Sequence, residues 1–315
     1  YLHLPFCAAK CRYCDFASYP GREDAWSAYL SALAEEWRQW LPKLESTEIA
    51  TIFFGGGTPS LLPAATMERL LKEILDSGRV RADAEITMEA NPGTASPDKL
   101  RRLRRAGVNR LSLGAQSFGD ALLRLLGRIH RASDIAGAVA MARDAGFDNL
   151  NLDLMYALPG QTLSDWRETL DAAMALRPEH LSAYSLIVEP GTPLHADVER
   201  GAVSLPDEDE TMALQRETVR RLAEGGYGRY EISNYARPGF ECRHNLVYWN
   251  RGDYLGLGCA AHSLMDGERF ENPRSLEEYL GGARRLNREK LTQADAMEET
   301  LMLSTRTTRG MSLRA

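Results

Sequence analysis

Cysteine is scarce in this chain, with five in 315 residues, and no signal-peptide pattern precedes them. Small secreted scaffolds that rely on disulfides use cysteine far more densely, so that class of protein is excluded. Long apolar runs are also missing. None approaches the roughly 18 residues of a membrane helix, so the sequence predicts a chain that does not span a membrane.

An excess of positive charge is missing as well. The net charge is −6, whereas a general electrostatic grip on nucleic acid needs a basic face. The densest basic cluster, Arg101, Arg102, Arg104 and Arg105, falls in the helical pattern DKLRRLRRAG, which is typical of a solvated helix face. We therefore predict no nucleic-acid partner. We also expect further residues beyond both ends, because Tyr1 opens directly on a strand-like run and Ala315 follows no obvious terminal element.

Three of the five cysteines stand close together. Cys7, Cys11 and Cys14 have the spacing CxxxCxxC within YLHLPFCAAKCRYCDF. Three thiolates from one loop can hold three corners of a 4Fe-4S cluster and leave one iron open to a small molecule. Zinc is the alternative, although structural zinc usually takes a second pair of ligands and no second knuckle occurs. Cys242 and Cys259 are expected to include ordinary buried thiols.

Short apolar and β-branched runs alternate with longer helical patterns, which predicts βα units around a parallel sheet. The predicted strands lie near residues 1–4, 49–54, 85–89, 110–113, 150–154 and 181–186, and the predicted helices near 24–41, 64–76, 97–106, 133–145 and 163–175. Six units favour a partial (β/α)6 barrel over a closed eight-fold one. We place this barrel at residues 1–190 and a C-terminal α/β appendage at residues 191–315.

Reactive groups in such barrels lie just past the carboxyl ends of the strands. The cysteine loop and GGGTPS follow the first two strands, and the ends of the other four are marked by Glu89 in EANPG, Gln116, Asp153 and Ile187. We expect these positions to converge on one face.

Each of these motifs also has a plainer interpretation. Gly56 and Gly57 let the backbone approach a ligand closely, although a glycine run alone is more often a tight turn. Thr58 supplies a hydroxyl contact or caps the next helix. Arg128 can meet a carboxylate in a fork, and acidic or amide groups can bind an ammonium and ribose hydroxyls. Ordinary loop hydrogen bonds are the alternative for all of them.

The cysteine loop, with the aromatic Tyr13 just before its last cysteine, resembles the signature of the radical S-adenosylmethionine superfamily. The resemblance implies a 4Fe-4S cluster on Cys7, Cys11 and Cys14, with S-adenosylmethionine chelating the open iron. The matching positions of oxygen-independent coproporphyrinogen oxidases contact S-adenosylmethionine, which implies the same role for Tyr1, Tyr13, Gly56, Gly57, Thr58, Glu89, Gln116, Arg128, Asp153 and Ile187.

Further segments indicate which branch of the superfamily this chain resembles. YLHLPFC, FFGGGTPSLL, EANPG, RLSLGAQSF, LGRIH, DLMYALPGQT and EISNYARPGFECRHNLVYW run in order across nearly the whole chain. Together they resemble the coproporphyrinogen oxidase branch, and most closely the HemW-type haem chaperones. The decarboxylating oxidases have a further cysteine two positions after the third, but Asp15 and Phe16 follow Cys14 here. The segment HNLVYW, residues 244–249, matches the HNxxYW motif of the chaperones.

HNLVYW has the chemistry of a haem site. His244 offers an imidazole nitrogen to iron, and Tyr248 and Trp249 offer flat apolar surface to a porphyrin. The alternative is a hydrogen-bonded packing cluster, and the resemblance favours haem. There is no CxxCH, so covalent attachment of the cytochrome c type is not indicated.

The sequence therefore predicts a haem chaperone that passes haem to acceptor proteins, respiratory ones among them. The alternative is an enzyme that decarboxylates coproporphyrinogen III to protoporphyrinogen IX, and a third class is a structural metal protein without cofactor chemistry. We expect a family member without the oxidase activity. An oxygen-sensitive cluster and unpaired thiols favour a reducing cytoplasm. A homodimer, and peripheral contact with a membrane through a partner, stay open.

Overall fold

The structure is a computed structural model that describes residues 1–311. Its strands are β1 (Leu2–Leu4), β2 (Phe6–Cys7), β3 (Tyr19–Pro20), β4 (Ile49–Gly56), β5 (Val80–Ala90), β6 (Arg110–Gln116), β7 (Leu150–Tyr156), β8 (His180–Ser185), β9 (Gly228–Arg229), β10 (Asn234–Ala236), β11 (His262–Met265), β12 (Glu268–Glu271) and β13 (Leu286–Lys290).

The α-helices alternate with the strands through the first part of the chain. They are α1 (Trp26–Trp40), α2 (Ala64–Leu75), α3 (Pro97–Ala106), α4 (Asp120–Leu125), α5 (Ala132–Asp144), α6 (Leu163–Ala175), α7 (Pro193–Glu199), α8 (Glu208–Glu224), α9 (Arg243–Trp249), α10 (Leu276–Leu280) and α11 (Gln293–Ser304). Among the helices of residues 1–311, none combines the length and apolarity that a bilayer crossing needs.

The main sheet has the strand order β1-β4-β5-β6-β7-β8-β10-β9. The first six strands are parallel neighbours, and β10 and β9 join antiparallel at the β8 edge. Parallel neighbours need long crossovers, and the intervening helices provide them. Within residues 1–311, β1 and β9 remain the outer strands, so the sheet is an open, partial barrel. The predicted fold class is confirmed, and each of the six predicted strands overlaps a parallel strand.

Local signals explain where the helices begin and end. Ser96 caps α3 by accepting a hydrogen bond from the Lys99 amide, Pro97 occupies the first turn, and Gly107 ends the helix in the left-handed region at φ 119°. Thr162 and Asp165 form a reciprocal capping box at the start of α6. These signals fix the ends of the helices that cover the outer face of the sheet.

Residues after 190 complete the sheet at both of its edges. On one edge, β10 pairs with β8, with Tyr235 opposite Leu181. On the other, the His3 amide donates to the Leu257 carbonyl at 2.8 Å, and the Leu257 amide donates to the Tyr1 carbonyl at 2.9 Å. The C-terminal part thus pairs with the first and last parallel strands. Residues 312–315 of the predicted appendage lie outside the described residues.

Candidate functional site

A cavity of about 430 Å³ opens at the carboxyl ends of the parallel strands. The three cysteines of the loop line it together with all but one of the residues predicted to contact S-adenosylmethionine. The predicted residues that line it are Cys7, Cys11, Tyr13, Cys14, Gly56, Gly57, Thr58, Glu89, Gln116, Arg128, Asp153 and Ile187. Strand-end positions therefore converge on one face, and the volume is in the usual range for a small-molecule site.

Hydrogen bonds to β1 and to Pro5, the residue after it, hold the cysteine loop in place. His3 Nε2 donates to the Ala17 carbonyl at 2.9 Å, and the Tyr19 amide donates to the Pro5 carbonyl at 2.7 Å. The three thiols are half-buried and unlinked. Burial raises the pKa of the Cys7 and Cys14 thiols, so a metal that binds them as thiolates must displace protons.

The donor set suits an iron-sulfur cluster. Within residues 1–311, no three His, Cys, Asp or Glu side chains converge on one point as the ligands of a single ion do. A cubane takes each thiolate on a different iron, so its cysteines need to surround a volume rather than meet at a point. Cys7, Cys11 and Cys14 do surround one end of the cavity, and they could hold three irons there.

Two cavity residues donate hydrogen bonds to the cysteine sulfurs. The Thr58 hydroxyl donates to Cys7 Sγ at 3.6 Å, and an Arg128 guanidinium nitrogen donates to Cys11 Sγ at 3.3 Å. Arg128 also donates to the Gly114 carbonyl at 2.7 Å and to Asn91 Oδ1, and Asn91 Nδ2 donates to Thr58 at 3.0 Å. The guanidinium is therefore held at the cavity wall, where it can meet a ligand carboxylate.

Two carboxyl groups lie deeper in the cavity. Glu89 accepts a hydrogen bond from the Gly56 amide at 3.1 Å, and Asp153 accepts from Ser112 Oγ at 3.1 Å and Asn151 Nδ2 at 2.8 Å. Burial and the neighbouring Asp153 raise the pKa of Glu89 to about 8, and burial also raises the pKa of Asp153. A cationic group brought into the cavity would stabilise both carboxylates, so the pair is suited to an ammonium or to hydroxyl groups.

The glycine run serves packing as well as access. A Cβ at Gly56 would lie 2.4 Å from the His3 ring, and a Cβ at Gly57 would lie 2.6 Å from the Phe6 carbonyl oxygen. Both residues line the cavity, as predicted, but the absent side chains also let β4 pass close to the segment before the cysteine loop. The glycine run predicts close approach by a ligand, but it does not predict this internal contact.

Tyr1 is the residue predicted to contact S-adenosylmethionine that does not line the cavity. Its hydroxyl is 3.1 Å from His3 Nδ1, and its ring centroid is 6.4 Å from that of His244. Tyr1 thus lies between His3, which holds the cysteine loop, and the HNLVYW segment. It reaches the cavity only through other residues in this conformation.

The HNLVYW segment forms α9, which is held against the inner side of β4 and β5. Glu85 accepts hydrogen bonds from the Arg243 and His244 amides, both at 3.0 Å. His244 is 3% exposed, and its ring stacks on Phe53 with centroids 5.0 Å apart. The carboxylate at the start of the helix and the aromatic stack place His244 inside the barrel, away from the cavity that the cysteines line.

Both ring nitrogens of His244 have partners. Nδ1 is 2.8 Å from Thr51 Oγ1, and Nε2 is 2.9 Å from the Tyr248 hydroxyl. Burial lowers the pKa of His244 well below its ordinary value, so the ring is the neutral imidazole. The Arg306 guanidinium lies 4.3 Å from the Trp249 ring. The three predicted haem residues are adjacent, but in this conformation His244 is buried and both of its ring nitrogens are occupied.

Some cavity residues were missed from the sequence. Asn91 links Arg128 to Thr58, and its position directly after β5, inside EANPG, could have identified it by the same strand-end rule. Exposed apolar side chains at the mouth, Phe16 at 59%, Ile129 at 60% and Ile187 at 69%, come from three separate loops. Of these only Ile187 was predicted, because loop apolar residues have no sequence signal of their own.

Comparisons with known proteins identify the family of this chain. The family model described as the Radical SAM superfamily matches residues 1–173. The heme chaperone HemW of Bacillus subtilis (strain 168) is 37% identical over 318 residues, which cover 99% of this chain and 84% of that protein. The heme chaperone HemW of Escherichia coli (strain K12) is 43% identical over 263 residues, covering 83% of this chain and 68% of that protein.

Solved structures show the same architecture. The coproporphyrinogen III oxidase HemN from Escherichia coli, described as a radical SAM enzyme, superposes with a TM-score of 0.84 at 27% identity, covering 97% of this chain and 74% of that chain. Streptococcus suis SuiB bound to S-adenosylmethionine shares the fold, with a TM-score of 0.51 at 14% identity over 71% of this chain and 47% of that one. The chain therefore belongs to the radical SAM superfamily and, within it, to the family of the heme chaperone HemW proteins.

Proposed function

We propose that this protein is a haem chaperone that holds a 4Fe-4S cluster and S-adenosylmethionine in the cavity, binds haem through α9 and passes it to acceptor proteins. The observation that carries the cofactor assignment is the placement of Cys7, Cys11 and Cys14 around the same cavity as Arg128 and Glu89. The haem assignment is supported by the similarity to heme chaperones and by the HNLVYW segment.

Each cavity residue has a role that fits its chemistry. The three thiolates would hold three irons, and the fourth iron would stay open to S-adenosylmethionine. Arg128 would meet the carboxylate of the ligand, and Glu89 and Asp153 would accept hydrogen bonds from its ammonium and ribose hydroxyls. The cluster, when bound, supplies the electron that can split a sulfonium. The chain itself binds, orients and screens these groups from water.

Haem binding by α9 requires a local rearrangement. A ligating histidine usually has its other ring nitrogen fixed by a partner, and Thr51 is already 2.8 Å from Nδ1 of His244. Nε2 would then be the iron ligand once the Tyr248 hydroxyl moves aside. Tyr248 and Trp249 would pack against the macrocycle, as aromatic rings do in porphyrin sites.

Replacement of His244 tests the haem site. In cluster-loaded protein, we expect His244→Ala to weaken haem binding at least about tenfold, because a metal–nitrogen bond exceeds an ordinary hydrogen bond in strength. His262→Ala is the matched control, since the His262 side chain is 60% exposed and its ring pairs with Glu271 at 3.2 Å rather than with a residue of α9. Haem titration followed by the Soret absorbance gives both affinities.

A second variant separates ligation from packing. Tyr248→Phe keeps the aromatic ring but removes the hydroxyl that occupies Nε2 of His244. If His244 is the ligand, this variant binds haem as tightly as the wild type or more tightly. Unchanged haem affinity in His244→Ala would remove α9 as the site, whereas a large loss in Tyr248→Phe would show that the Tyr248 hydroxyl contacts the haem and that His244 is not the only ligand in α9.

The oxidase alternative remains testable because the fold matches HemN over 97% of this chain. Against it stands Phe16, which occupies the position where the oxidases have their further cysteine. Anaerobic incubation of cluster-loaded protein with reductant, S-adenosylmethionine and coproporphyrinogen III decides between the two. Protoporphyrinogen as product would establish an oxidase, and haem transfer to a haem-free respiratory protein without such turnover would establish the chaperone. A reducing cytoplasm is the compartment that suits either activity.

A further inference from the structure

We propose that Asn91 is a positioning residue that aims two hydrogen-bond donors at the cluster cysteines, and thereby raises the reduction potential of the cluster and strengthens S-adenosylmethionine binding. The inference rests on the proposed function, because it presupposes a cluster on Cys7, Cys11 and Cys14. We call the linked residues Thr58, Asn91 and Arg128 the Asn91 bridge. It joins the loops that follow β4 and β5 to the loop between α4 and α5.

The bridge contacts two of the three sulfurs. Asn91 Nδ2 donates to Thr58 Oγ1 at 3.0 Å, and Thr58 donates to Cys7 Sγ at 3.6 Å. On its other side Asn91 Oδ1 accepts from Arg128, which donates from its second terminal nitrogen to Cys11 Sγ at 3.3 Å. One amide side chain thus sets the position of a hydroxyl and a guanidinium on two different cysteines.

The direction of the hydrogen bonds requires an amide at this position. Because the Thr58 oxygen accepts from Asn91 Nδ2, its own hydrogen is free to point at Cys7. A carboxylate at residue 91 would accept that hydrogen instead and turn the hydroxyl away from the sulfur. An apolar side chain would leave both Thr58 and Arg128 without their common partner.

The surroundings hold Asn91 in a single orientation. Its backbone amide donates to Thr94 Oγ1 at 3.1 Å, and the Thr94 hydroxyl donates back to the Asn91 carbonyl at 2.7 Å. A Cβ at Gly114 would lie 2.5 Å from Asn91 Oδ1 and 3.1 Å from Arg128, so the glycine leaves the space that the bridge occupies. The Arg128 Nε is buried with no partner among the described residues, which leaves the terminal nitrogens as its points of attachment.

Hydrogen-bond donors to the cluster sulfurs change the reduction potential of the cluster. Reduction adds negative charge, and hydrogen bonds to the sulfurs stabilise it, which is a main determinant of iron-sulfur reduction potentials. The same Asn91 contact steadies Arg128 at the cavity wall, where it would meet the ligand carboxylate. Losing the bridge should therefore lower the potential and weaken S-adenosylmethionine binding together, although Asn91 itself need touch neither the iron nor the ligand.

The experiment compares Asn91→Leu and Asn91→Asp with the wild type in reconstituted full-chain protein. The readouts are iron per chain, the midpoint potential from a redox titration followed by electron paramagnetic resonance, and S-adenosylmethionine affinity by equilibrium binding. We expect both variants to show a more negative potential. Asn91→Leu should also lose about tenfold in affinity, the usual effect of losing a charge-assisted contact.

Asn109→Ala is the control. Its side chain accepts from the Ile86 amide and donates to the Ala84 carbonyl, both at 2.8 Å, and so fixes β5 away from the cavity. It should lower stability but leave the potential and the affinity unchanged. If Asn91→Leu fails to take up iron, the isosteric Asn91→Asp decides the matter. Wild-type potential and affinity in the Asn91 variants would overturn the inference alone, whereas a wild-type chain that forms no cluster would overturn the proposed function as well.

Discussion

Single residues determine whether the cysteine loop keeps its shape, and Gly56 is the clearest case. Its φ of 103° lies in the region that favours glycine, and a Cβ there would be 2.4 Å from the His3 ring. His3 in turn donates to the Ala17 carbonyl of the loop at 2.9 Å. A methyl group at residue 56 would therefore strain its own backbone and displace the imidazole that anchors the loop.

We predict that Gly56→Ala lowers the free energy of unfolding by about 2–4 kcal/mol, because backbone strain and an overpacked contact add. The matched control is Gly78→Ala, at φ 69° with no atom within 4 Å of the new Cβ, where only about 1 kcal/mol of backbone strain is expected. Urea unfolding of the cluster-free proteins gives the stabilities. Gly56→Ala should also take up less iron on reconstitution, and equal losses in the two variants would show that the His3 contact does not matter.

At the scale of helices and strands, the sequence predicted the ends of an element best where neighbouring side chains determine those ends. The ends of α3 and α6 were predicted correctly, since Ser96, Gly107 and the Thr162 capping box lie in the sequence itself. The short strands β9 and β10 were not predicted, because two or three residues carry no alternation that distinguishes a strand from a loop.

The site residues also divide into those whose place follows from local sequence and those whose place depends on long-range packing. Cavity residues were found because parallel strands end at a common edge, so position along the chain fixes their place. Tyr1 and His244 depend instead on which distant segments pack together. The sequence could not show that His244 of α9 would stack on Phe53 and contact Thr51. It also could not show that the Tyr1 hydroxyl would contact the His3 ring.

One buried carboxylate joins α1 to the C-terminal part of the chain. Glu36 is 3% exposed and accepts from the Gly258 amide at 3.0 Å, Asn272 Nδ2 at 2.7 Å and the Tyr279 hydroxyl at 2.7 Å. The Arg284 guanidinium lies 3.6 Å away. Three hydrogen-bond donors and one guanidinium group from residues 258–284 therefore share the Glu36 carboxylate of α1 as a partner.

We predict that Glu36→Ala costs about 3–5 kcal/mol of unfolding free energy, because buried donors and a guanidinium lose their partner at once. Glu35→Ala on the same helix is the control. That side chain is 58% exposed, pairs with Arg38 and accepts a hydrogen bond from Gln39 at 3.4 Å at the surface, so its loss should change stability by no more than about 0.5 kcal/mol. Chemical denaturation of the two variants measures the difference. A Glu36→Ala protein as stable as Glu35→Ala would mean that the C-terminal part is held by other contacts.

At the scale of the whole molecule, the C-terminal part closes both ends of an open sheet. Tyr235 in β10 pairs with β8, and Leu257 exchanges backbone hydrogen bonds with the strand that begins the chain. An open parallel sheet presents unpaired amides and carbonyls at each edge, which are costly to bury and prone to association. The predicted barrel at residues 1–190 is thus paired at both edges with residues that the same prediction assigns to an appendage.

This pairing at both edges predicts that the two parts unfold together. Chains of this length often unfold in stages, and an independently stable barrel would retain its amide protection after the C-terminal part had opened. Edge pairing on both sides, together with the contacts of Glu36 to residues 258–284, favours a single transition instead. Hydrogen exchange at increasing urea measures this directly. Amides of β5 and β6 in the sheet centre and those of Tyr235 and Leu257 at its edges should lose protection at the same urea concentration. Loss at the edges first, with β5 and β6 still protected, would show that residues 1–190 form a domain that is stable by itself.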